Sequence, residues 1–139
     1  MAYAEYMIEL NRVIEKHKIP YPSNLIDHWK QVYFEFKDGY NESLYFLDQD
    51  LYVRDQIELL LSQEELYRFE EFQEVVRQLK YYDDEIKKVL LLDIIGNDKL
   101  SLKWWHRCLP RFATADFIDE VKRQYGEVAA SKITQVAEP

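Results

Sequence analysis

This 139-residue chain has one cysteine, three glycines and three histidines, and that scarcity excludes several chemistries. Cys108, being alone, forms no intrachain disulfide and no cysteine-based zinc site. Three glycines leave little material for a phosphate-cradling loop, and no Gly-x-Ser-x-Gly elbow occurs. None of His17, His28 and His106 has a Glu three residues before it, and His-Glu-x-x-His is absent, so no metal or other cofactor is expected. His106 and Cys108 are two apart, and Asp27 and His28 are adjacent. On a helix such neighbours diverge, so neither forms a catalytic pair. No catalytic residue is assigned, and the chain reads as a non-enzyme.

Long hydrophobic runs are missing too. Leu59–Leu61 and Val89–Leu92 are far too short to span a bilayer. The first ten residues, MAYAEYMIEL, have neither the basic start nor the apolar stretch of a secretory signal, so a reducing cytoplasmic location without membrane attachment is expected.

Acidic and aromatic residues are plentiful. The formal net charge is −8, which disfavours general binding to nucleic acid or anionic lipid and suits solubility or a basic partner. The charge is uneven: residues 1–61 hold eleven acids and six bases, 62–85 hold eight and three, and 86–139 hold seven and nine. Eleven tyrosines are too many to bury with every hydroxyl satisfied, so some are expected on the surface, where tyrosine favours interfaces.

Apolar spacing predicts an all-α fold, a single compact bundle of about six to eight helices over residues 1–126, with 127–139 as a frayed helix or tail. Helix one is expected over 2–18, with Tyr3, Met7, Leu10 and Ile14 on one face, Tyr6 and Val13 at its edge, and Pro20 and Pro22 stopping it. Ser23 is expected to cap a second helix from Asn24 to Phe36, which Gly39 would end. Asn41 would cap a third helix that Asp48-Gln49-Asp50 interrupts, leaving a fourth over 51–61, unless the two are one bent helix. From Ser62 to Asn97 there is no proline, and the only glycine is Gly96. Ser62 and Glu65 have capping-box spacing, and Leu66, Phe69, Phe72, Val76 and Leu79 form an apolar stripe. Asp83 is a candidate for a new N-cap, with the apolar run continuing over 86–95. A Trp-rich amphipathic helix is expected over 99–109, and a last helix from Ala115 to Tyr125 between Thr114 and Gly126.

The candidate functional site lies opposite the apolar stripe. Tyr67, Glu70, Glu71, Glu74, Gln78 and Tyr81 recur at three- and four-residue steps. Carboxylates steer a cationic surface into contact, and flanking tyrosines supply buried area. The expected function is therefore a protein-binding inhibitor that occludes a basic site on its partner. A bacterial toxin-immunity protein or a phage inhibitor of a nuclease would be examples, with Glu70, Glu71 and Glu74 as charge partners and Tyr67 and Tyr81 as anchors. The same residues also describe the ordinary wet face of a helix. Two other readings stand beside it. One is a structural or adaptor homo-oligomer, a homodimer through Trp104 and Trp105. The other, less favoured, is nucleic-acid binding through Lys99, Lys103, Arg107 and Arg111, which are four apart and interleaved with tryptophan. A basic face pairing with the acidic half of the same molecule accounts equally for that stripe.

Overall fold

The computed structural model describes residues 2–95 and 103–138. The protein is all-α, with six helices and two minimal strand pairs among these residues. Helix α1 (Ala2–His17) leads through the Pro20–Pro22 turn into α2 (Pro22–Asp38). Pro22 occupies the first turn of α2, where its missing N–H costs nothing, and Tyr21 rather than Ser23 sits at the N-cap. Leu25, Trp29, Val32 and Phe36 recur every three or four residues on α2 and are all buried. This helix is the central element, packed against both α3 (Leu44–Leu61) and α4 (Glu70–Lys88).

The inward face of α1 is rotated from the expected one. Tyr6, Leu10 and Val13 are buried while Tyr3 is exposed, because Tyr6 packs on Phe69, ring centroids 5.4 Å apart.

Helix α3 is a single helix through Asp48-Gln49-Asp50, and Ser43, not Asn41, caps it: Ser43 Oγ accepts from the Phe46 N–H at 3.3 Å. Ser62 ends this helix instead of starting the next. Its N–H donates to Glu58 O at 3.0 Å, and its hydroxyl donates to Leu59 O at 2.7 Å. The capping-box pattern thus falls on a helix C-terminus, because the Leu59–Leu61 run carries the core one turn further. The chain then makes a 3-10 turn, Glu64–Leu66, and enters α4 from an extended Phe69. Leu66, Phe69, Phe72 and Leu79 are buried and Val76 half-buried, so the apolar stripe is core, though divided between a turn and a helix.

Helix α4 runs unbroken through Asp83, whose side chain points into the protein and caps nothing. After Lys88 the expected helix over 86–95 gives way to β1 (Leu90–Leu91), antiparallel to β2 (Leu109–Pro110). Within the described part of 99–109 the Trp-rich helix is replaced by one 3-10 turn, Trp104–His106, followed by β2. Pro110 has no N–H for a helix, and Arg107 O accepts from the Ile94 N–H at 3.0 Å across the turn.

Helix α5 (Ala115–Tyr125) starts after Thr114 and ends at Gly126 (φ 97°), both as expected. The Thr114 hydroxyl makes no capping bond; its N–H donates to Tyr40 O at 2.9 Å. Residues 127–138 include α6 (Glu127–Ser131), the buried Ile133, and β4 (Thr134–Gln135), which pairs in parallel with β3 (Phe112–Ala113). Tyr40 bridges to Ala113 on the other side. Gly39, at φ 111°, sits beneath Val136, and a Cβ there would collide with the valine side chain. Only glycine meets both conditions.

Candidate functional site

The outer face of α4 presents most of the expected residues together. At about 100° per residue, Glu70, Glu74, Gln78 and Tyr81 fall within roughly 80° of one another, opposite the buried Phe72, Leu79 and Ile86. Tyr81 is 57% exposed, and Glu70 and Glu74 are exposed. Glu74 has local partners: it forms an ion pair with Arg77 and accepts from Gln78 Nε2 at 3.3 Å. Glu85 and Lys88 repeat that i,i+3 pairing one face-length on. Glu71 is half-buried near Tyr6, whose phenol is pushed up by burial and then by the Glu71 carboxylate.

Tyr67 lies off the helix. Its hydroxyl donates to Leu61 O at 2.6 Å and its ring stands edge-on to Phe72 at 5.0 Å, so it braces the α3–α4 link. Burial raises its phenol, with Glu58 adding to the effect.

The basic stripe does not form on one helix. Lys99 lies outside the described residues, and the other three are drawn to separate partners within the chain. Lys103 Nζ is 3.8 Å from Glu58, Arg107 pairs with Asp93 at 3.0 Å, and Arg111 donates to Leu90 O at 3.3 Å. The expected dimer pair is likewise internal: Trp105 is 3% exposed, and the half-buried Trp104 stacks edge-on against it with Lys87 Nζ 4.8 Å from its ring.

Asp83, proposed from sequence as a cap, is the hub of a buried network. Arg54 grips it with two bonds, Nε to Oδ1 and Nη2 to Oδ2, each 2.9 Å, and Trp29 Nε1 donates to Oδ1 at 2.9 Å. Arg54 also reaches Glu58 at 3.0 Å, and its guanidinium lies 4.4 Å from the Trp105 ring centre. One carboxylate thus ties α2, α3 and α4 together.

A cleft of about 310 Å³ opens between α3, the tryptophan turn and the end of α5. Its polar lining is Asp48, Asp55 and His106, and its aromatic lining includes Tyr52, Tyr125 and Trp105. Asp55 Oδ1 accepts from Trp105 Nε1 at 2.9 Å and lies 2.8 Å from His106 Nε2. Burial raises the Asp48 carboxyl above its ordinary range, and His106 opposes that only in part. Cys108 closes the floor. Burial pushes its thiol up to about 12, which suppresses the thiolate a nucleophile needs. No group of three or more potential ligands suited to a metal ion occurs among the described residues.

A second acidic contact joins α2 to α3. Glu35 is hydrogen-bonded to Asp50, and its carboxyl is raised to about 7 by burial first, then by the Asp50 charge and bond, then by Glu42. The Tyr40 hydroxyl donates to the same Asp50 at 2.9 Å.

Comparison with protein-family models, curated sequences and solved structures finds no match. Among the described residues no helix is long and apolar enough to cross a membrane.

The cleft residues come from 44–55, from Ile95 and 105–108, and from Tyr125, far apart in sequence, so spacing gives no sign of it. The one sequence signal is the acid-rich α3 with tyrosines at 45 and 52.

Proposed function

We propose that the protein is a non-enzymatic binder of a basic partner protein, which it neutralises by covering a cationic site, as an inhibitor of a toxin or nuclease would. The observation that carries this reading is the outer face of α4, where Glu70, Glu74 and Tyr81 are exposed together on a surface the core does not use. The distribution of tyrosine supports it: seven of the eleven, Tyr3, Tyr21, Tyr45, Tyr52, Tyr67, Tyr81 and Tyr125, are exposed. Tyrosine combines contact area with a polar tip at small entropic cost, as interfaces require. In this reading Glu70, Glu71 and Glu74 attract the partner, Tyr81 anchors it, and Tyr67 supports the edge of the contact.

The test is affinity capture of the tagged protein from its own cells in moderate salt with added nuclease, followed by calorimetry on the recovered partner. The expected result is one basic protein in one-to-one complex, bound more weakly by Glu74→Lys and Tyr81→Ala while both variants melt like the parent. Recovery of no basic protein, or variants that bind as tightly as the parent, would remove the α4 face from consideration.

A further inference from the structure

The cleft beside α3 has a composition that the inhibitor reading does not use. Its carboxylates are Asp48 and Asp55, and the basic side chains nearby are already engaged. His106 is held by Asp55, Arg54 by Asp83 and Glu58, and Lys103 lies against Glu58. Asp48 is exposed at the edge of the cleft and, among the described residues, makes no ion pair. A cation bound in the cleft would meet that unpaired carboxylate. The remaining walls decide what sort of cation. Tyr52 and Tyr125 present aromatic surface at the mouth, and Leu47, Leu51 and Cys108 make the floor apolar. A hydrated inorganic ion gains little from such walls, and the described residues do not form a metal-ligating group. An anion meets two carboxylates. A cation on an aliphatic stem satisfies both halves, its charge against the carboxylates and rings and its stem on the floor. The volume, about 310 Å³, is at the small end of ligand sites and holds a stem of a few carbons. The chain already uses this chemistry next door, where the Arg54 guanidinium lies over the Trp105 ring.

We propose that this cleft is a binding site for an alkylguanidinium or alkylammonium group, held between Asp48, Asp55 and the rings of Tyr52 and Tyr125. The group is either a free small molecule or the side chain of an arginine or lysine on a protein. The site stands apart from the α4 face and does not depend on it.

The test is titration of the full chain with butylguanidinium, butylammonium, butanol and butyrate, followed by amide and indole NMR shifts. The two cations are expected to shift Asp48, Asp55 and the Trp105 indole N–H, saturating at a Kd of roughly 1 mM for so few heavy atoms. Butanol and butyrate are expected to leave those signals in place. Asp48→Asn is expected to weaken the cations roughly tenfold, and Tyr52→Leu to do so severalfold without altering charge. A blocked Gly-Arg-Gly peptide distinguishes the sources: if it shifts the same signals as well as butylguanidinium does, the natural occupant is a protein side chain, and if it does not, a free cation. Equal shifts from butanol, no cleft shifts from either cation, or unchanged affinity in both Asp48→Asn and Tyr52→Leu would overturn the assignment. Because the α4 variants are read on a different partner and a different face, failure of either proposal leaves the other standing.

Discussion

Helices α3 and α4 follow one another in the chain, have 18 and 19 residues, and are both acidic, but they handle their charge in opposite ways. In α4 the acids and bases are sorted along the axis: Glu70 and Glu71 stand at the N-terminal turn, and Lys87 and Lys88 at the C-terminal turn. Each end complements the helix dipole. Two of its acids also find bases one turn away, Glu74 with Arg77 and Glu85 with Lys88. Helix α3 has four acids but one base of its own, Arg54, buried on Asp83 of the other helix, while Asp55 and Glu58 draw on His106 and Lys103 of the tryptophan turn. The excess negative charge of α3 therefore stays on its surface, beside the exposed Tyr45 and Tyr52 and along the cleft. A helix that looks highly charged in sequence can be nearly neutral locally, while a less charged one projects its field outward.

The largest way to break this contrast is through the residue that joins the two helices. Asp83→Ala leaves Arg54 buried without its main partner and Trp29 without an acceptor, and should lower stability by about 3–5 kcal/mol in chemical denaturation. Wild-type stability there would show that the ion pair contributes nothing net.

Next is Gly39→Ala, which combines a left-handed backbone with a collision at Val136 and should cost about 2 kcal/mol in thermal melts.

A smaller effect is on the pH dependence. The Glu35 carboxyl is raised from an ordinary 4.5 to about 7 in the fold, so between those values the folded chain holds a proton that the unfolded chain has released. Its contribution to stability is complete below 4.5 and is lost as pH rises through 7. The slope should amount to on the order of 1 kcal/mol after solvent screening, and Glu35→Gln should flatten it in denaturation curves taken across that range. No such pair of facing carboxylates is described on α4, where Glu74 and Glu85 face Arg77 and Lys88.

The smallest effect sharpens the comparison. Glu70→Lys opposes the α4 dipole and should cost about 0.3–1 kcal/mol, whereas Gln49→Lys in the acid-rich stretch of α3 should be neutral or slightly stabilising.

The helices themselves were readable wherever apolar spacing and a physical terminator agreed. Gly39 and Gly126 end α2 and α5 as expected, and the stripe from Leu66 to Leu79 is core. The reading failed where a side chain's partner was remote. Ser62 has the residue type of an N-cap but caps a C-terminus, because Tyr67 folds back onto Leu61. Asp83 looked like a cap because nothing local reveals Arg54, 29 positions away. Leu90–Leu91 and Leu109–Pro110 have apolar density but form a strand pair rather than helix, their backbones bonded to each other. Of the candidate site, Glu70, Glu74 and Tyr81 share a face because α4 is regular there; Tyr67 and Glu71 are turned toward other contacts. The cleft depends on three distant segments and was invisible to spacing.

The parallel pairing of Phe112 with Thr134, flanked by the bridge from Tyr40 to Ala113, has a bearing on how the chain is made. Three backbone segments meet there that are separated by most of the sequence, so the contact order of this corner is high and it closes late. During synthesis α1 to α4 can collapse around α2 well before Ile133 and Val136 have left the ribosome. Until then Gly39 has no valine above it and Ala113 has one strand neighbour instead of two. The nascent protein would carry an open strand edge for that interval, and Thr134 to Val136 would act as the latch that shields it from pairing with other chains.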